Sequence, residues 1–220
     1  EQKAVVAAPR GPLLVLAGAG SGKTRTLTYR VAWLLSQGIL PWEILLLTFT
    51  NKAATEMLGR VQELTGVPGY KFWGGTFHHI GQKLLRIHGE LIGLQKNYTI
   101  LDQGDSESLL STVIQEKEPK WTKSKDRPKP KLVGEMISFA RNTRQELKEV
   151  IRQKYPSYKE FFSELEGFAQ GYRERKLQQQ VVDYDDLLEH ALQLLATQAD
   201  VCAKYQSQFK HILVDEYQDT

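Results

Sequence analysis

Apolar positions in the first 88 residues come in blocks whose period switches between strand and helix. Residues 13–16 (Leu-Leu-Val-Leu) are apolar throughout and are expected to form a short buried strand. Over residues 24–37 the period becomes helical, with Leu27, Val31, Leu34 and Leu35 on one face, and Gly38 and Pro41 mark the end. Residues 44–49 (Ile-Leu-Leu-Leu-Thr-Phe) read as a second strand and 52–64 as a second helix. Residues 72–77 read as a third extended segment, leading into a helix that reaches about residue 88. Strands that are apolar on both sides, each followed by a helix, predict an α/β fold with a parallel sheet covered on both faces.

Beyond residue 89 the pattern changes. Helical signals dominate from about residue 104 to 207, and no strong strand interrupts them. Residues 116–131 (EKEPKWTKSKDRPKPK) hold seven basic residues, three acidic ones and three prolines around Trp121, which predicts a solvated loop or linker. Ile212-Leu213-Val214 then returns as a short apolar strand ending in Asp215-Glu216. The expected organisation is an α/β core over residues 1–89, a helical insertion over 90–205, and re-entry into the core over 206–220.

Composition adds limits rather than a function. With 41% hydrophobic and 25% charged residues in 220, an ordinary packed core is within reach. Cys202 is the single cysteine, so an internal disulfide or a cysteine-built zinc site is excluded, and a reducing, cytoplasmic setting fits. No apolar run approaches the roughly 18 residues needed to span a bilayer, so no membrane partner is expected. The net charge of +3 is unevenly spread. Residues 1–88 carry ten Lys/Arg against four Asp/Glu, so the first part is the better candidate to meet an anion.

That anion is suggested by residues 17–24, Ala-Gly-Ala-Gly-Ser-Gly-Lys-Thr, which stand between a predicted strand and a predicted helix. Glycines let a backbone turn tightly and aim N–H groups at phosphate oxygens, and the following helix adds its positive end. Ala19, Gly20, Ser21 and Gly22 would cradle the phosphates, Lys23 would reach the β- and γ-phosphates, and the Thr24 hydroxyl would ligate Mg²⁺. Such a loop needs a carboxylate at the end of a neighbouring strand. Asp215 is the candidate Mg²⁺ partner, and Glu216 the general base that takes a proton from the attacking water.

Five motifs then occur in order: AGAGSGKT (17–24), TFTNKAA (48–54), GTFHHIG (75–81), VDYDDLL (182–188) and ILVDEYQDT (212–220). Together they resemble the amino-terminal part of a UvrD/Rep/PcrA-type superfamily 1 DNA helicase, over essentially the whole chain. The resemblance implies a RecA-like P-loop NTPase core interrupted by a helical subdomain, ATP and Mg²⁺ as cofactors, and 3′ to 5′ movement on single-stranded DNA toward single-strand/duplex junctions. It implies that Gln2 reads adenine and that Arg25 lies near base and ribose. It also implies DNA contacts from Phe49, Thr50 and Asn51 on one loop and Thr76, Phe77 and His78 on the next. An aromatic on such a loop offers a stacking platform, and hydroxyl and amide groups reach phosphates without reading sequence.

His79 stands where the family often has serine, and Arg141-Asn142 resembles a Lys-Asn pair of the inserted subdomain. Asp183, Asp185 and Asp186, at a predicted helix start, are expected to cap rather than catalyse. The resemblance further implies a second RecA-like domain in the same chain, beyond residue 220, and hence no unwinding by this stretch alone. A start upstream of Glu1 is expected as well. DNA repair is one of several pathways such motors serve. A different P-loop enzyme, the motor of a RecB/AddA-like helicase–nuclease subunit, and a non-catalytic DNA-binding module that retains the fold stay open as alternatives.

Overall fold

The computed structural model describes residues 1–18 and 20–219. In chain order the first elements are α1 (Gln2–Val6), α2 (Lys23–Ser36), β1 (Ile44–Thr48), α3 (Asn51–Thr65), β2 (Trp73–Thr76) and α4 (Phe77–His88). Next come β3 (Thr99–Ile100), α5 (Gln103–Lys117), α6 (Pro130–Thr143), α7 (Leu147–Lys154) and α8 (Phe162–Gln179). The chain closes with β4 (Val181–Val182), α9 (Tyr184–Thr197), α10 (Ala199–Gln208) and β5 (His211–Val214). It divides into two compact units, residues 1–88 with 191–220, and residues 89–190.

The first unit is built on a parallel sheet of order β2-β1-β5. β1 is central, and all five of its residues are buried, as a strand covered on both faces requires. Leu47 pairs with Gly75 on one side and Val214 on the other. Ile44 and Leu46 pack on Val31 and Leu34 of α2 and on Met57 and Val61 of α3. Trp73, in register with Leu45, belongs to the opposite face, where its ring meets Tyr205 and Phe209 edge-on at 5.3 and 5.4 Å.

Residues 13–16 do not form the expected buried strand. They are irregular, with Leu14 69% and Leu16 86% exposed. Apolar content alone does not make a strand; a ladder partner does. Among the described residues the sheet supplies its neighbours only to β1, β2 and β5.

The second unit is helical, with a two-residue parallel pairing of β3 and β4. Its core gathers Leu110 and Ile114 of α5, Val133 and Met136 of α6, Ile151 of α7, and Leu165 and Phe168 of α8. Trp121 lies in that core, fully buried, so the expected solvated loop over residues 116–131 is corrected. The indole N–H donates to the Pro128 carbonyl at 2.9 Å, and the Arg127 guanidinium covers the ring at 4.8 Å. The run's lysines stay exposed, and one aromatic anchor folds an otherwise polar segment. No helix among the described residues is long and apolar enough to cross a membrane.

Candidate functional site

The phosphate loop turns through Gly20 and Gly22, whose φ angles of +74° and +86° favour glycine. Gly22 is the N-cap of α2 and has no side chain to satisfy the first-turn amides, which leaves that end suited to an anion. The Lys23 ammonium donates to the carbonyls of Ala17 at 3.2 Å and Gly18 at 3.5 Å, so it already lies over the loop. Ala19, assigned to the loop from sequence, is outside the described residues. Ser21 is exposed, and Arg25 projects over the Tyr29 ring at 5.5 Å. The Gln2 side-chain amide donates to the Ser21 carbonyl at 2.8 Å, which brings the amino terminus to the loop.

The acidic half of the site arrives from the other end of the chain. The Asp215 N–H donates to the Leu47 carbonyl at 2.9 Å and so continues the ladder one residue past β5. Its carboxylate, 7% exposed, accepts a hydrogen bond from the Thr24 hydroxyl at 2.9 Å, across 191 residues of sequence. Glu216 follows with φ +51°, an uncommon value for a non-glycine residue, its N–H bonded to Asp215 Oδ1 at 3.1 Å and its carboxylate to the Gln218 amide.

This donor set fits Mg²⁺. A hydroxyl and a carboxylate are hard oxygen ligands, and two neighbouring ligands on an octahedron of about 2.1 Å radius lie about 3 Å apart. The 2.9 Å separation matches that edge. Among the described residues no cluster of three or more His, Cys, Asp or Glu could hold a metal by itself. The remaining ligands at Thr24 and Asp215 would therefore come from phosphate and water.

Two further turns leave the same carboxyl edge of the sheet. After β1, the Thr50 hydroxyl accepts the Ala53 N–H at 3.1 Å and caps α3, while Phe49 is 57% exposed and Asn51 is exposed at the first helical position. After β2, the Thr76 hydroxyl accepts the His79 N–H at 3.2 Å at the start of α4, with Phe77 and His78 half-buried. Thr48 and Thr76 are in register across β1 and β2, so the two turns are adjacent. A capping hydroxyl spends an acceptor lone pair and keeps its O–H as a donor. At 57% exposure Phe49 is not a core residue.

A model of the UvrD/REP helicase N-terminal domain family matches residues 1–220. The chain belongs to this family. It is 38% identical to an ATP-dependent DNA helicase PcrA of Leuconostoc citreum, over 222 aligned residues. The corresponding proteins of Staphylococcus epidermidis and Staphylococcus aureus are 37% and 36% identical. In each case all of this chain aligns, and it spans 29% of the relative's length.

In this UvrD/REP-type chain the VDYDDLL motif has a structural explanation. Asp183 and Asp186 exchange backbone N–H bonds at 2.8 Å in both directions, a capping box at the start of α9. Lys176 of α8 donates to both carboxylates at 2.5 and 2.6 Å, and Arg141 of α6 reaches Asp183, Asp186 and Glu189. Asn142 bonds Asp185 at 3.0 Å. Burial raises the Asp183 pKa, but the charges of Lys176 and Arg141 outweigh it and hold the group at about 2. Burial alone would lower Arg141, yet its bond to Glu189 and the charges of Asp186 and Asp183 raise it above its ordinary value. A cleft of about 1040 Å³ borders this network, well away in sequence from the phosphate loop.

Sequence reasoning missed Lys176 and Arg30. A lysine on a polar helix carries no signal of its own. Arg30 did: it lies in the stripe of Leu27, Val31 and Leu34, where a charge is out of place.

Proposed function

We propose that this chain is the ATP-binding part of a cytoplasmic, ATP-dependent DNA helicase that moves 3′ to 5′ along single-stranded DNA toward duplex junctions. The observation that carries this reading is the 2.9 Å contact between Thr24 and Asp215, which unites the phosphate loop with the acidic strand end. Bound ATP·Mg²⁺ would supply the transferable phosphoryl group and a divalent charge. The amides at the start of α2 and the Lys23 ammonium would hold the phosphate oxygens, and Thr24 with Asp215 would hold the metal. Glu216 accepts the proton of the attacking water, kept in place by Gln218. Gln2 and Arg25 face the base and ribose. Phe49, Thr50, Asn51, Thr76, Phe77 and His78 hold the single strand by stacking and phosphate contacts. Such binding tolerates sequence.

A second RecA-like domain in the same polypeptide completes the motor, in keeping with relatives that are more than three times as long. In the full-length protein, Lys23→Ala is expected to abolish DNA-stimulated ATP hydrolysis while single-strand binding without nucleotide persists. Normal hydrolysis by that variant would overturn the assignment of the loop.

A further inference from the structure

We infer that Arg30 fastens the base-selecting arm of the nucleotide site to the helix that follows the phosphate loop, and so acts as a positioning residue for nucleobase discrimination. This rests on the reading of Gln2 as a base contact. Arg30 lies on α2, seven residues after Lys23, and is only 7% exposed. No carboxylate pairs with it among the described residues, although a buried guanidinium ordinarily needs a counter-charge. Its Nη1 instead donates to three carbonyls, those of Val5 at 2.9 Å, Val6 at 3.0 Å and Ala8 at 3.0 Å. The Val5 and Val6 carbonyls close α1, where the peptide dipoles present their negative end, and Ala8 lies just beyond it.

α1 cannot hold itself in place. It has five residues, none of them buried, far below the length at which a helix is stable alone. Two tethers fix it. At its far end Arg30 grips the last carbonyls, and at its near end the Gln2 amide donates to the Ser21 carbonyl inside the phosphate loop. The approach there is close: a Cβ on Gly22 would lie 3.2 Å from Gln2 Nε2. One Gln2 N–H is spent on Ser21, which leaves its other N–H and its carbonyl oxygen. That donor–acceptor pair is the complement of adenine N7 and N6–H₂. Gln2 can present this pair in one place only if α1 is held, and Arg30 is what holds it to α2. Loss of Arg30 therefore frees the base contact and leaves Lys23, Thr24 and Asp215 where they are.

The test uses the full-length protein with Arg30→Met, Arg30→Lys and Gln2→Ala. Affinities for ATP, CTP and inorganic tripolyphosphate are measured by competition, and amide hydrogen exchange over residues 3–8 is followed without nucleotide. Arg30→Met is expected to speed that exchange and to lower the preference for ATP over CTP about tenfold, the scale of one lost bidentate base contact. Tripolyphosphate affinity is expected to hold. Gln2→Ala should lose the same preference, the double variant should lose no more than either single one, and Arg30→Lys should recover part of it. Faster exchange with unchanged preference would overturn the positioning role, as would a fall in tripolyphosphate affinity parallel to that of ATP. If Gln2→Ala keeps the wild-type preference, the base-contact reading fails first and takes this inference with it.

Discussion

At the scale of single residues, the second unit holds a buried network of charges, Lys176 with Asp183 and Asp186, apart from the candidate nucleotide site. Asp183 and Lys176 are buried, and removing one member of such a network leaves its partners desolvated and unpaired. The folded pKa of Asp183, about 2, lies below the ordinary aspartate value of 3.8. Its contribution is therefore fully present above pH 4, fades as pH falls, and is gone below about 2. The difference corresponds to about 2 kcal/mol. Asp183→Asn is accordingly expected to lower stability by about that amount near neutral pH, and to flatten the loss of stability between pH 4 and 2. Urea unfolding of the two proteins at a series of pH values checks this. Parallel curves with the same acid limb would place the acid sensitivity elsewhere.

At the scale of elements, the β2–α4 junction shows how tightly a turn can be specified. A Cβ on Gly75 would lie 2.7 Å from the His79 ring and 3.2 Å from His79 Cβ. The bond from the His79 N–H to the Thr76 hydroxyl holds the His79 backbone and Cβ, so relief of the contact requires the ring to swing away. Gly75→Ala should therefore cost roughly 1–3 kcal/mol of stability and weaken single-strand binding by rotating Thr76, Phe77 and His78. Adding His79→Ala removes the ring but leaves its Cβ at 3.2 Å and the Gly75 φ of +158°, so it should restore part of both, as thermal unfolding and fluorescence anisotropy would show; a double variant as weak as Gly75→Ala would mean the ring is not the obstacle. The same elements separate what is legible in the sequence from what is not. β1, β2, β5 and α2 to α4 could be read because period and punctuation agree, and the site residues followed from the motifs they carry. Residues 13–16 misled because an apolar run states burial preference and says nothing of a partner strand. β3 and β4 are two residues each, too short for any period to register. The packing of Trp121 depends on Phe161 and Phe168, which lie well beyond the segment, so composition over residues 116–131 cannot reveal it.

At the scale of the whole molecule, the question is how much of a motor these 220 residues make. The first unit brings the glycine-rich loop, Lys23 and Thr24 together with Asp215 and Glu216, for which the roles of phosphate cradle, metal-holding pair and base are proposed above. Phosphoryl transfer also needs positive charge placed against the transferring group, and an arginine supplied for that purpose is worth about 10³ to 10⁵ in rate. Of the two arginines on α2, the helix that follows the phosphate loop, Arg30 holds the carbonyls of α1 and Arg25 lies over Tyr29. The chain spans 29% of the length of the relatives it matches, and the second RecA-like domain proposed above would provide that arginine. Residues 1–220 expressed alone are thus expected to bind ATP·Mg²⁺, to hydrolyse it at least about 10³-fold more slowly than the full-length protein, and to unwind nothing. Single-turnover hydrolysis and strand-displacement assays on both polypeptides decide the matter. DNA-stimulated turnover by the short chain at the full-length rate would show that its own arginines complete the site, and that the proposed second domain is not needed for hydrolysis.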